Sequence, residues 1–202
     1  SAASDVYKRQ GFSSSSDIPW RTRRSEVLRA LIDSDFAGGG LTNASHLFQS
    51  LQQMTEVRGF EALEGAMSFD QVFSSCPSLE SVQLPEAVRI YNAAFMASGL
   101  TSLSLPETTR LGYSAFQHCD ALTELRLTAA GNITLEMKDG ATPFSQNFAK
   151  VCDLTLNADK HYSTGTAAPK AASADQWATN YYGDPLTWKS ICLLYTSDAA
   201  DE

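Results

Sequence analysis

Of 202 residues, 43% are hydrophobic and 19% charged, enough for one domain with a sizeable core or for a single extended repeat array. No run approaches the ~18 to 20 consecutive apolar residues that a membrane-spanning helix needs, so no membrane insertion is expected within this chain. Fifteen Lys and Arg against 23 Asp and Glu give a net charge of −8, which repels phosphate backbones and excludes nucleic acid as a first guess.

Ser1–Gln10 (SAASDVYKRQ) shares no composition logic with the middle of the chain, yet it is related to the last eleven residues, Cys192–Glu202 (CLLYTSDAADE). One back-translation of Ser1–Gln10, reverse-complemented and read one base out of register, gives Cys192–Ala200 in order. Residues 1–10 and 192–202 therefore read as translated sequencing adapter of the transposase type, tails that are not native and are not expected to pack. The remaining insert, residues 11–191, has 13 basic side chains (15 less Lys8 and Arg9). It has 19 acidic ones (23 less Asp5, Asp198, Asp201 and Glu202), for a net charge of −6. It begins without Met and ends without a natural stop, and is expected to be a fragment of a longer protein.

Residues 11–40 read as a lead-in or N-terminal cap. Here lies a basic cluster, Arg21, Arg23, Arg24 and Arg29, broken by Glu26, which is either a solvated segment end or a docking patch. Val27–Ile32 is expected to form a short strand that begins or caps the array. Gly38-Gly39-Gly40 is a turn, and with no Gly-Lys-Ser/Thr after it, it is no phosphate loop.

From residue 41 a repeat sets in. Phe73-x-x-Cys76-x-x-Leu79-x-x-Val82-x-Leu84-Pro85 is followed by Phe95-x-x-Ser98-x-Leu100-x-x-Leu103-x-Leu105-Pro106. Next comes Phe116-x-x-Cys119-x-x-Leu122-x-x-Leu125-x-Leu127, and Phe48-x-x-Leu51-x-x-Met54-x-x-Val57 precedes them all. Apolar gaps of three, three, three and two fit neither a helix nor one continuous strand, but they fit a coil that turns once per copy. The alternating ends, such as Leu103-x-Leu105, are short strands with one face inward. Pro85 and Pro106 stop them where the chain must turn. One copy alone cannot bury its Phe and Leu side chains, whereas stacked copies bury them against each other.

After the regular coils of residues 41–128, Asn132–Met137 with Lys138-Asp139-Gly140 reads as a hairpin inserted near 129–143, because Asp-Gly is a tight-turn signal. Phe148, Cys152, Leu154 and Leu156 read as a further copy, closing the repeats near residue 160. Tyr162–Asp175, rich in Ala, Ser, Thr and Gly, reads as a loop. Within the C-terminal capping segment 161–191, Trp177–Ile191 is expected to cover the end of the last coil. The predicted fold is a β-rich repeat solenoid of about five coils, with short parallel strands and short capping segments at both ends.

The pattern resembles the BspA-like leucine-rich repeats of bacterial surface proteins, whose motif is I-G-x-x-A-F-x-x-C-x-x-L-x-x-I-x-I-P. Leu111–Leu127 matches it with Leu for Ile and without the final Pro. Leu41 to Cys76 looks like the 25-residue variant of the same family, although Ala66–Phe73 departs in part from its T-x-x-M-x-x-M-F signature. Pro19-Trp20 to Ala37 resembles the family's lead-in, and Cys152–Lys160 and Trp188–Ile191 its closing segment. The resemblance implies a secreted or surface-anchored bacterial protein that adheres to host or microbial surfaces.

No catalytic constellation stands out. His46, His118 and His161 fall in different copies, and there is neither His-Glu-x-x-His nor Cys-x-x-Cys, so no metal or cofactor is expected. No Gly-x-Ser-x-Gly elbow occurs. His118 and Cys119 are adjacent, but neighbouring residues of the motif point opposite ways, and Cys119 holds an inward column that Cys76 shares. Glu86 and Glu107 should stack one coil above the other, near the ~5 to 5.5 Å separation of a retaining glycosidase. Arg89 and Arg110 stack beside them, which makes a convex charge ladder and no cleft. Cys76 and Cys119 lie two coils apart, roughly 9.6 Å, too far for a disulfide.

A binding module is expected instead of an enzyme. By alternation the solvent-facing strand residues are Glu56 and Arg58, Ser81 and Gln83, Ser102 and Ser104, and Glu124 and Arg126. This polar stripe suits a protein or glycan partner better than an apolar ligand. The alternative is a non-catalytic arm or spacer of a larger surface enzyme or anchored protein.

Overall fold

The computed structural model describes residues 16, 18–33, 41–63, 68–85, 89–108, 110–128, 133–136, 138, 142–144, 149, 151–157, 161–164, 170–171 and 186–194. Ten short strands order it: β1 (Arg29–Leu31), β2 (Glu56–Arg58), β3 (Ser102–Leu105), β4 (Arg110–Leu111) and β5 (Glu124–Leu127), then β6 (Ile133–Leu135), β7 (Asp153–Asn157), β8 (His161–Thr164), β9 (Lys170–Ala171) and β10 (Ser190–Leu194). Two sheets run along the repeats. One has the order β10-β7-β5-β3, and every pairing in it is parallel. The other is β4-β6-β8-β9, parallel except for the last pair. A separate parallel pair, β1 with β2, lies at the N-terminal end.

The strands form because their side chains alternate. In β3 the burial pattern is exposed, buried, exposed, buried, so Leu103 and Leu105 enter the core while Ser102 and Ser104 face out. In β5, Leu125 and Leu127 do the same, opposite Leu103 and Leu105 in register, and Leu154 and Leu156 of β7 continue the columns. The repeat leucines, with Met54, are buried, except that Leu84 is half-buried, like Val82 in the same copy.

On the opposite turn, each Phe is flanked by two residues of left-handed backbone. These are His46 and Ser50 around Phe48, Gln71 and Ser75 around Phe73, Ala93 and Ala97 around Phe95, and Ser114 and His118 around Phe116, with φ between 50° and 62°. None is glycine, so each position costs about 1–2 kcal/mol of steric strain. What holds them there is a third backbone ladder. Phe48 N–H donates to the Val72 carbonyl, Phe73 N–H to Ala94, Phe95 N–H to Ala115 and Phe116 N–H to Pro143, at 2.8 to 3.0 Å. The flanking residues repeat the bond, as in Gln71 N–H to Asn92 and Ser75 N–H to Met96.

The Phe rings stack through the centre. Successive centroids from Phe48 to Phe73, Phe95, Phe116 and Phe144 are 5.5 to 6.0 Å apart, with interplanar angles of 4° to 13°. Trp20 closes one end of the column at 6.2 Å from Phe48. Trp188 closes the other, edge-on to Phe144 at 5.3 Å. Those two tryptophans come from the segments on either side of the repeats.

Four details depart from expectation. The fifth ring is Phe144, while Phe148 lies outside the described residues. Phe116 to Phe144 is 28 residues (144 − 116), which keeps pace with the 29 from Leu125 to Leu154 (154 − 125). Residues 133–135 are no arm of an inserted hairpin, because β6 pairs in parallel with both β4 and β8; Asp139-Gly140 lies outside the described residues. The expected loop from Tyr162 contains β8 and β9. There the sheet supplies pairing that the Ala- and Ser-rich composition does not announce. Finally, β10 runs past Ile191: Cys192, Leu193 and Leu194 continue in register with Thr155, Leu156 and Asn157. Leu193 happens to fall two residues after Ile191 and so turns the same face to the core.

Candidate binding face

Three neighbouring copies present polar residues to one open groove of about 650 Å3. Two of them do so from strands β3 and β5, while the expected strand around Ser81 and Gln83 is an extended segment outside the named strands. Its lining includes Ser81, Gln83, Ser102, Ser104, Glu124 and Arg126, together with Glu61, Val82 and Leu84. Strand register sets the spacing: Ser102 stands opposite Glu124, and Ser104 opposite Arg126. The segment carrying Ser81 and Gln83 is joined to the residue before β3 by Thr101 N–H on the Glu80 carbonyl at 3.0 Å. Thr123 N–H on the Thr101 carbonyl, at 2.9 Å, repeats that bond one copy on. Small hydroxyls occupy the middle, and a Glu-x-Arg pair stands at one side. Arg126 Nη1 is 3.6 Å from Glu124 Oε1, and both side chains are about half exposed. A pair so exposed is worth only ~0 to 1 kcal/mol, so Arg126 is free to exchange Glu124 for a ligand carboxylate.

The structure does not bring Glu56 and Arg58 into this groove. They sit on β2, which pairs with β1, and they bond to each other, Arg58 Nε to Glu56 Oε1 at 2.5 Å. Glu61 is the lining residue that alternation misses. It comes from the 3-10 turn Phe60–Ala62, where Phe60 is buried against Phe48 and Phe73. A large aromatic just after a left-handed Gly59 is the available signal for that turn.

The convex ladder takes a different form. Arg110 bonds to Glu136 in the following copy and lies 5.1 Å from the centre of the Tyr91 ring. Glu107 is exposed, and Glu86 lies outside the described residues. Beside the groove, Asp153 accepts from Lys189 Nζ at 2.6 Å and from Ser190 Oγ at 2.7 Å. These bonds, Lys189 first, hold its carboxyl below the usual range.

Cysteines serve packing. Cys76 Sγ donates to the Phe48 carbonyl at 3.0 Å and Cys119 Sγ to the Phe95 carbonyl at 2.9 Å. The same column holds Ser98, 3.6 Å from Cys119 Sγ. His118 points to solvent while Cys119 is fully buried, so the two do not form a thiol–imidazole pair. Burial pushes the Cys76 and Cys152 thiols up to about 12 and Cys119 up to about 11. Under native conditions at pH 8, a thiol reagent is expected to label only Cys192 quickly, and all four cysteines after denaturation. These raised values make stability depend on pH. The folded chain keeps its thiol protons above pH 9 while the unfolded chain loses them, so stability is full below about 9 and falls as pH rises toward 11 to 12. Flat stability from pH 8 to 11 in urea melts would show the thiols to be open to water. Among the described residues, no three His, Cys, Asp or Glu side chains cluster as metal ligands.

Residues 45–137 match, in six copies, the family described as the BspA type leucine rich repeat region. No curated protein matches the chain. Among solved structures, a leucine-rich repeat protein from Bacteroides ovatus matches over 84% of this chain at 10% identity and a TM-score of 0.38. The match spans 61% of that protein, so this chain covers less than two thirds of its length.

Proposed function

We infer, from the match of residues 45–137 to the BspA type leucine rich repeat region, that this chain is a non-catalytic binding module of a secreted or cell-surface bacterial protein. Its strand face takes a protein or glycan partner, with no cofactor and no nucleic acid. One observation carries the reading: Ser81, Gln83, Ser102, Ser104, Glu124 and Arg126 converge from three copies on one groove. Ser102, Ser104, Glu124 and Arg126 stand on strands whose inner faces are locked by the buried Leu103, Leu105, Leu125 and Leu127. A partner laid there touches several repeats without ordering any loop, which keeps the entropic cost of binding low.

The test is a screen of immobilised glycans and matrix proteins against the whole chain. For any ligand found, Gln83→Ala with Arg126→Ala is expected to weaken binding by about 30-fold, the equivalent of ~2 kcal/mol. Arg58→Ala lies off the groove and should change affinity by no more than about twofold. The opposite ranking moves the site to β2. An intact fold with no ligand in the screen favours the reading as an arm or spacer of a larger surface protein.

A further inference from the structure

Among the described residues, the N-terminal strand leaves one edge open: β1 pairs there with β2 alone. On that side Thr55 N–H donates to the Leu28 carbonyl at 2.9 Å, and Ile32 N–H to the Arg58 carbonyl at 2.8 Å. In a parallel ladder, alternate residues of a strand face its partner. Leu28, Ala30 and Ile32 therefore bond toward β2, while the N–H and C=O groups of Arg29 and Leu31 face away. Among the described residues no other strand pairs with them.

Natural edges are commonly blunted by charge, proline or a covering loop, but this one is flanked by leucines. Leu31 is 75% exposed and Leu28 53%, the two most exposed large hydrophobics among the described residues. Next to them lies an apolar depression of about 320 Å3, walled by Trp20, Val27 and Ile32. The charge is local too. Residues 18–33 carry Arg21, Arg23, Arg24 and Arg29 against Glu26 and Asp33, a surplus of +2 (4 − 2) on a chain of −8. Arg23 is held by Glu26 at 2.6 Å, whereas Arg29 is exposed on the open strand itself.

We propose that β1 is a docking edge for an extended, acidic segment of a partner protein, which adds to the sheet as a further strand. Its main chain would bond to Arg29 and Leu31. One apolar side chain would cover Leu31 and the depression, and its carboxylates would meet Arg29 and the neighbouring arginines. A glycan has no regular N–H and C=O spacing with which to complete a strand, so the edge selects polypeptide. The arginine surplus selects acidic sequence. This site lies apart from the groove and stands or falls independently of it.

The probes are two synthetic ten-residue peptides, one alternating Glu with Val and one alternating Lys with Val, titrated into the whole chain at pH 7. The Glu–Val peptide is expected to bind more weakly as salt rises and to slow amide exchange at Arg29 and Leu31. The Lys–Val peptide should bind at least ~10-fold more weakly. Leu31→Pro removes an outward-facing N–H without touching the bonds to β2, and should lower Glu–Val affinity by ~10-fold or more. Should that variant lose the strand, Arg29→Glu keeps the backbone and is expected to reverse the preference between the peptides. Equal binding of both peptides, or no protection of the two amides, overturns the proposal. So does self-association that protects those amides without peptide, since the occupant is then a second copy of this chain.

Discussion

Replacing Phe95 by Ala is expected to destabilise the protein by about 3 to 5 kcal/mol, the range for emptying a buried aromatic site. Phe95 is fully buried, with Phe73 5.9 Å away on one side and Phe116 5.7 Å away on the other. Both neighbours lose a stacking partner, and each such pair is worth about 0.5 to 1.5 kcal/mol beyond its buried area. Collapse cannot fill the gap cheaply, because the backbone around it is clamped. Phe95 N–H is bonded to the Ala115 carbonyl at 3.0 Å, and its own carbonyl receives Cys119 Sγ at 2.9 Å. In a repeat array stability is a sum of units and nearest-neighbour interfaces, and this one ring belongs to two interfaces. Urea melts read the loss as a lower midpoint, and a smaller slope would signal that the array has split into separately melting parts. Phe144→Ala should cost less, since Phe144 has a stacked ring on one side and the edge of Trp188 on the other. A neutral Phe95→Ala would mean that the column is not the core.

The repeat is legible wherever spacing is enforced by packing. Phe48, Phe73, Phe95 and Phe116 have to recur because each ring needs another above it, and Leu103/Leu105 and Leu125/Leu127 have to alternate because one strand face is buried. Phe144 is hidden for the same reason that Phe148 attracts. A 28-residue spacing looks no more regular than one of 32, and it is the Phe116–Phe144 stack, with the bonds from Ser114 and Phe116 to Thr142 and Pro143, that puts Phe144 in the column. The second sheet is not legible at all. β4 and β6 are two and three residues long, too short for a period to be counted, and their order comes from the coils they connect. Asp139-Gly140 points to a hairpin because a turn signal is local and cannot report whether its flanks pair with each other or with neighbouring copies. The face is half legible: alternation finds which side chains point outward, but not that β2 belongs with β1, which removes Glu56 and Arg58 from the groove.

Gly112→Ala is the other substitution with a large expected effect, although the other copies carry a side chain at the same place. Four residues before each Phe of the column stand Ala44, Phe69, Tyr91 and Gly112, so three copies carry a side chain at that place. In the fourth, a Cβ on Gly112 would lie 2.4 Å from the Tyr91 carbonyl carbon, 2.5 Å from Asn92 N and 2.6 Å from the Tyr91 oxygen. All three obstacles are backbone, which no rotamer change can move. The separation is fixed from both sides by Gly112 N–H on the Ile90 carbonyl at 2.8 Å and Ala93 N–H on the Tyr113 carbonyl at 2.9 Å. One of those bonds must stretch to admit a methyl group. Overpacking of this kind costs about 1 to 3 kcal/mol, and an immovable neighbour puts Gly112→Ala at the upper end. Amide exchange locates the damage: Gly112, Ala93 and Gln71, whose N–H donates to Asn92, should lose protection first. Ala44→Gly, made at the equivalent place in the first copy, relieves no clash and should show no such local pattern. Unchanged stability in Gly112→Ala would mean that the two copies can move apart there, and that the ladder of bonds does not set their spacing.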